Sequence, residues 1–263
     1  MIRAFAPLAV LGCVGLLGVV PLLAPAVETL RLRPEFGSLP TAGLYAVLLA
    51  QPTALVLVLT GLGIAVADRA GLRSLIADAA RGQPLRWPSP RDARWLAGAT
   101  VLAALLVVAA DAGFARAFPE AFADVPAATA VPLTARVGAL LYGAIAEELM
   151  LRLGIMTLLV AAGRRLFPGT FARTPGVVVW PAIVASAILF GLLHVPALAG
   201  LGPLTAPLVA RTIVLNAALG LLFGFAYWRY ALEYAMLSHA LVHVVFGVVG
   251  AVGPNLAPAL TGS

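Results

Sequence analysis

The chain has 263 residues, of which 62% are hydrophobic and 11% charged, and its mean hydropathy is +1.03. Soluble domains carry about 25% charged residues, so this composition excludes a soluble globular protein and predicts an integral membrane protein. The formal net charge is +6, but the arginines lie between apolar runs and not on one amphipathic face, which argues against nucleic acid as a partner. The single cysteine, Cys13, excludes an intramolecular disulfide and a cysteine-based metal site.

Apolar runs long enough to cross a bilayer as helices follow one another along the chain. The predicted fold is therefore all-α, a polytopic transmembrane helix bundle with about seven spans, or eight if the tail folds back into the membrane. The predicted spans are at about residues 4–26, 43–66, 95–115, 136–162, 177–198, 206–228 and 232–252.

The first apolar run follows Arg3 and ends at Ala24-Pro25-Ala26, which is similar to a signal-peptide cleavage site. The run is longer than the apolar region of such signals, which has about 7–15 residues. We therefore expect an uncleaved first membrane helix, with a cleaved signal peptide as the alternative.

The charges of the loops predict which side of the membrane each loop faces. The connection 68–94 carries six Arg against three Asp and is expected in the cytoplasm, with a short surface helix over Leu72–Ala80. The acidic connection around Glu120 and Asp124 is expected outside. The N-terminus is then cytoplasmic and the uncharged tail 253–263 lies outside. Further cytoplasmic turns are indicated by Arg164, Arg165, Arg173 and Arg229.

Two regions are expected from the distribution of motifs. Residues 1–135 form transmembrane helices without a recognisable motif, and residues 136–263 form the bundle that carries the candidate site. Tryptophans near the ends of spans are expected as interfacial anchors, namely Trp95, Trp180 and Trp228.

Ionisable residues inside apolar runs cost about 2.5–3.5 kcal/mol each on insertion scales, so they are usually paired or functional. Asp111 is expected to pair with Arg116 or to lie near the outer interface, and Arg211 to extend towards the membrane surface. Both are interpreted as structural. The other intramembrane ionisable residues, among them every histidine of the chain, are Glu147, Glu148, Arg152, His194, His239 and His243.

The adjacent glutamates are expected to have different roles. Glu148 and Arg152 are four residues apart, which places them on one helix face as a structural ion pair. Glu147 lies about 100° round the helix from Glu148 and has no local partner. Such a carboxylate is suited to take a proton from water as a general base, and Glu147 is the leading catalytic candidate.

The histidines are compatible with two kinds of hydrolytic chemistry, one without a metal and one with zinc. His239 and His243 are four residues apart, so their imidazoles point the same way from the last helix. A Glu-activated water held by one histidine, with another stabilising the oxyanion, would hydrolyse an amide. Alternatively, Glu147, His194 and His239 would bind zinc and activate water on the metal.

The order of these residues resembles the motifs of the CPBP family, which comprises CAAX prenyl endopeptidases and bacteriocin-processing (Abi) membrane proteins. The resemblance covers about residues 136 to 246. It rests on Glu147-Glu148-x-x-x-Arg152, then Phe190-x-x-x-His194, then His239-x-x-x-His243.

The resemblance implies an intramembrane glutamic-type endopeptidase that needs no metal or other cofactor, with zinc as the alternative. It makes Glu147 the general base and His194 a residue that holds the water. It places His239 and His243 at the oxyanion, where the family more often has Asn at the second position. It leaves supporting roles for Glu148, Arg152 and Phe190.

The predicted function is therefore hydrolysis of a peptide bond in a membrane-tethered protein or peptide, of CAAX or bacteriocin type. The protein is expected in the cytoplasmic membrane as a multi-pass protein, surrounded by lipid. One alternative is a proton relay or transporter built on the Glu and His residues. Another is a catalytically silent immunity scaffold of the same fold, which the histidine at position 243 favours.

Overall fold

The computed structural model describes residues 1–123, 132–167, 174–198 and 203–261, with the side chains of the last helix described to Ala251. Asp124 and Arg173 lie outside these residues. Regular structure in the described residues is helical throughout, which confirms the predicted all-α bundle. The α-helices are α1 (Ile2–Leu17), α2 (Ala24–Arg31), α3 (Thr41–Ala70), α4 (Leu75–Ala80), α5 (Pro90–Ala117), α6 (Leu133–Leu141), α7 (Thr157–Leu166), α8 (Gly176–Leu193), α9 (Val195–Leu198), α10 (Ala206–Arg229) and α11 (Leu232–Thr261).

Five helical spans in the described residues are long and apolar enough to cross a membrane: α3, α5, α8 with α9, α10 and α11. A sixth would be the pair Ile2–Leu17 and Val20–Arg31, which is bent by 46°. The first predicted run is therefore not one straight helix, because Pro21 and Pro25 follow the break and cannot continue the hydrogen-bond ladder. The predicted run 136–162 is helical as well, and it carries the motif glutamates.

The helix that carries the motif glutamates is wound as a π-helix. Between α6 and α7 the chain is π-helical over Tyr142–Glu147 and Leu149–Met156, which we call the π segment. A π-helix has i→i+5 hydrogen bonds and wider turns than an α-helix, and π turns are frequent at functional sites. The Thr157 hydroxyl donates to the Arg152 carbonyl, five residues back, at 2.9 Å. Hydrophobic periodicity predicted an ordinary α-helix here.

The N-terminal helices, which carry no motif, pack directly on the π segment. Glycines let them approach closely: a Cβ on Gly15 of α1 would lie 2.9 Å from Cβ of Ile145, and one on Gly63 of α3 would clash with the Leu153 carbonyl. Small residues at helix contacts are typical of membrane bundles. Helices α1 and α3 therefore position the helix that bears the site.

The loop after α3 docks on the beginning of α11. Glu233 accepts hydrogen bonds from Ser74 Oγ at 2.5 Å, from Leu75 N at 2.8 Å and from Ile76 N at 3.0 Å. These two amides are otherwise unsatisfied N-terminal donors of α4, so Glu233 caps this helix with a carboxylate. The predicted surface helix over Leu72–Ala80 is thus shorter, and its residues Leu75 and Ala77 are buried.

Of the two expectations for Asp111, the pairing with Arg116 was wrong and the position near the outer interface stays a prediction. The Asp111 carboxylate pairs with Arg211 of α10, with Nε and Oδ1 2.6 Å apart, and not with Arg116. Residues five apart on an α-helix are about 140° apart around it, so Asp111 and Arg116 point to different faces. The same ion pair links α5 to α10, and the extension of Arg211 to the membrane surface stays a prediction.

Candidate active site

Glu147 and His194 face each other across the bundle, with Oε1 of the glutamate 4.0 Å from Nε2 of the histidine. Helix α8 ends at Leu193, and His194 is its C-cap residue. The histidine Nδ1 donates to the Phe190 carbonyl at 2.8 Å, because a carbonyl oxygen can only accept. In the neutral ring, Nε2 is then an acceptor that points towards Glu147.

This pair lines an apolar cavity of about 440 Å³, a volume in the range of small-molecule and peptide side-chain sites. The cavity walls come from three elements: the π segment, α8, and α3 of the N-terminal half. The apolar side chains of α3 and α8 in this wall are Pro52, Leu55, Leu59, Leu189, Phe190 and Leu193. Glu147, His194 and Tyr142 carry the ionisable side chains of this lining, and the rest of it is hydrophobic.

A second cluster lies beside the cavity and is completely buried. Glu148 Oε2 is 3.3 Å from Arg152 Nε, and both side chains have no exposed surface. His239 Nδ1 donates to Glu148 Oε1 at 3.0 Å. The carboxylate is thus held between a guanidinium and an imidazole, and the predicted ion pair is present.

The guanidinium of Arg152 is buried against aromatic rings. Its central carbon lies 5.4 Å from the ring centre of Phe190 and 5.8 Å from that of Phe223. Its three nitrogens have no hydrogen-bond partner among the described residues. The charge of Arg152 is therefore stabilised mainly by Glu148 and by the two ring faces.

The two histidines of α11 form a stack against the π segment. The His239 and His243 rings are 5.1 Å apart and nearly parallel, and Phe223 stacks on the other face of His239 at 4.4 Å. A Cβ on Gly143 would lie 2.9 Å from Nε2 of each histidine. The missing side chain of Gly143, four residues before Glu147, thus leaves a space at which both Nε2 atoms meet.

The structure brings the predicted residues together in two groups. Glu147 and His194 line the cavity, whereas His239 contacts Glu148 and not Glu147. Phe190 joins the groups, with its ring edge-on to His194 at 4.6 Å and to His239 at 5.7 Å. Sequence reasoning missed Gly143, although a glycine one turn before the motif was visible.

The alternative zinc set is not supported by this arrangement. Among the described residues, no three His, Cys, Asp or Glu side chains converge as a metal site requires. Structural and catalytic zinc sites use three or four protein ligands. Glu147 and His194 provide two, and the Nδ1 of His239 is engaged by Glu148. We therefore derive no chemistry through a metal.

The region that holds these residues matches a known protein family. Residues 129–245 match the sequence model of the family described as Rce1-like, type II CAAX prenyl endopeptidase Rce1-like. No curated protein and no solved structure matches the chain. The match contains every candidate site residue and confirms the resemblance predicted from the motifs. Residues 129–245 of this membrane protein are therefore similar to the Rce1-like family of CAAX prenyl endopeptidases.

Proposed function

We propose that this protein hydrolyses a peptide bond of a membrane-tethered protein or peptide, using water activated by Glu147. The observation that carries the proposal is the pairing of Glu147 with His194 in the apolar cavity. Both side chains retain surface there, 16% for Glu147 and 32% for His194, whereas Glu148 has none. Of the two motif carboxylates, Glu147 is the one that water and substrate can reach.

The separation of 4.0 Å between Glu147 Oε1 and His194 Nε2 suits a water that hydrogen-bonds to both. Both atoms accept, so the water would donate both of its protons and direct a lone pair at the substrate carbonyl. Glu147 takes one proton as the water oxygen bonds to the carbonyl carbon. The protonated Glu147 then gives this proton to the leaving amide nitrogen as the carbon–nitrogen bond breaks.

The hydrogen bond between His239 and Glu148 favours His243 for the oxyanion role. His239 directs its Nδ1 proton at Glu148, so its Nε2 carries a proton only when the ring is charged. His243 can donate from Nε2 as a neutral ring, which is also what an asparagine amide does. We therefore propose that His243 stabilises the oxyanion from the space beside Gly143, and that the buried cluster holds α11 in position.

The cavity supports an apolar, membrane-associated substrate of CAAX or bacteriocin type. The wall formed by Leu55, Leu59, Leu189 and Leu193 suits a hydrophobic segment, because the favourable free energy of transfer grows with the apolar area buried. We propose that no metal or cofactor takes part. The arginine-rich connection 68–94 supports a cytoplasmic N-terminus in the cytoplasmic membrane.

The test is cleavage of a quenched fluorescent peptide library by purified protein, with and without a strong chelator. Loss of a general base lowers rates by about 10²–10⁴-fold, so Glu147→Gln should reduce kcat/KM by this factor. The matched control is Glu28→Gln on the exposed surface of α2, which should cleave at the wild-type rate. Cleavage that Glu147→Gln leaves unchanged would refute the proposed mechanism, and chelator-sensitive cleavage would favour a metal.

The wild-type protein and the same variants also distinguish a proton relay from a catalytically silent scaffold. A proton relay is the second candidate because His243, His239 and Glu148 form a continuous line of titratable groups. It predicts proton flux into liposomes without peptide cleavage. A silent scaffold predicts neither cleavage nor flux.

A further inference from the structure

A second, polar pocket is built from residues distant in sequence from the motif glutamates. It lies where the loop after α3 meets the start of α5 and the turn between α10 and α11. Its volume is about 270 Å³. Three arginines from these three parts of the chain line it. We call it the arginine pocket, and its lining comprises Arg73, Arg86, Arg229, Asp92, Ser89, Trp87, Pro88 and Tyr230.

The charge of this lining is strongly positive. Asp92 is its single carboxylate, and the Ser89 hydroxyl already donates to Asp92 Oδ2 at 2.7 Å. Arg73 is oriented by its own neighbours: it donates to the Arg86 carbonyl at 2.9 Å and lies 3.5 Å from Asp78. Three guanidinium groups outnumber the carboxylates of Asp92 and of Asp78 beside Arg73, so the pocket suits an oxyanion held by charge-assisted hydrogen bonds.

Aromatic side chains near the pocket support a position at the level of lipid headgroups. Trp95, Trp180, Phe225 and Trp228 form a connected cluster, with ring centres 6.0 to 6.4 Å apart. Tryptophans gather at the interface between membrane and water. Arg229 follows Trp228 directly, and the exposed Trp87 is part of the pocket itself. We infer that the arginines lie at the depth of lipid phosphates.

From this geometry we propose that the arginine pocket binds the phosphate of an anionic phospholipid headgroup. Basic pockets between membrane helices bind such headgroups through this chemistry. The bound lipid would also brace α11, because the backbone carbonyl of Arg73 accepts a hydrogen bond from Leu232 N at 3.1 Å. The proposal does not depend on the proposed peptidase mechanism, since no residue of the pocket lines the cavity of Glu147.

The test is titration of delipidated, detergent-solubilised protein with short-chain phosphatidylglycerol, phosphatidylcholine and inorganic phosphate, followed by native mass spectrometry. We expect phosphatidylglycerol to bind more tightly than phosphatidylcholine, and added salt to weaken it. Arg86→Gln and Arg229→Gln should each weaken binding by about fivefold, the share of one arginine near an anionic membrane surface. The matched control is Arg69→Gln, an exposed arginine outside the pocket, which should bind like wild type.

Equal binding by Arg86→Gln and Arg69→Gln would overturn the proposal. Arg86 is exposed, so this variant keeps the test valid even if Arg229→Gln does not fold. Equal affinity for the anionic and the zwitterionic lipid would also overturn it. Inorganic phosphate that binds as tightly as the anionic lipid would replace the lipid with a soluble anion.

Discussion

Two adjacent glutamates on one helix have opposite surroundings. Glu147 faces an apolar cavity and a histidine at 4.0 Å, whereas Glu148 is fully buried between Arg152 and His239. The difference between them is the direction of the side chain from a helix with π winding. It leaves Glu147 with exposed surface in the cavity and Glu148 with none.

The two surroundings illustrate how a membrane protein keeps an ionisable group accessible to water in an apolar interior. A buried carboxylate needs a compensating charge. A carboxylate that has such a partner is held in its ionised form and is less suited to accept a proton in a reaction. Here Glu148 receives the guanidinium, and Glu147 has no arginine as an ion-pair partner in the described part of the chain. We therefore propose a structural role for the buried cluster and a chemical role for the cavity pair.

The largest effect is expected for Arg152→Met, which leaves the Glu148 carboxylate buried without its cation. Removal of one partner of a buried ion pair costs about 3–5 kcal/mol, so we expect a large fall in Tm. Thermal unfolding in detergent measures it, with Arg91→Met on the exposed start of α5 as the control, expected within about 0.5 kcal/mol of wild type. The further change Glu148→Gln should restore part of the loss. An unchanged Tm would show that Glu148 needs no cation.

The next effect concerns the cavity pair. His194→Asn keeps a donor for the Phe190 carbonyl but removes the Nε2 that faces Glu147. We expect kcat/KM to fall by about 10²-fold, at the lower end of general acid–base effects, with Tm unchanged. His243→Asn is the comparison variant and should retain activity, because the amide also donates. Equal losses in both variants would contradict the separate roles assigned to these histidines.

Gly143→Ala tests whether the space beside the two α11 histidines is needed for activity. The new methyl group would lie 2.9 Å from Nε2 of both His239 and His243, so one or both rings must move. Overpacking of this kind costs about 1–3 kcal/mol, and activity should fall with it. The control is Gly98→Ala in α5, where a Cβ meets nothing within 4 Å, and a helical alanine gains about 1 kcal/mol. Full activity of Gly143→Ala would mean that this space is not used.

The smallest expected effect is that of Tyr227→Phe. The Tyr227 hydroxyl shares a hydrogen bond with Thr157 at 2.9 Å, just after the π segment, and both residues are buried. Its loss should destabilise the fold by about 1 kcal/mol without changing kcat/KM. A drop in activity larger than the drop in stability would show that the hydroxyl shapes the site.

Local sequence signals predicted the helices, the Glu148–Arg152 pair and the cluster of motif residues, because these depend on apolar runs and on spacing of three or four residues. Contacts between distant parts of the chain could not be predicted in this way. The hydrogen bond from His239 to Glu148 spans 91 residues, and the pair of Arg211 with Asp111 spans 100. The π winding was also missed, because an apolar run gives the same hydropathy for either winding.

The carboxylate cap on α4 has a consequence for the order in which the protein is made. Helix α4 has six residues, too few to be stable alone, and its cap comes from Glu233, 157 to 159 residues later. At about 5–20 residues per second, the ribosome delivers this carboxylate roughly ten to thirty seconds after α4 has emerged. His239 and His243 are synthesised directly after Glu233, so closure of the loop coincides with the arrival of these two site residues.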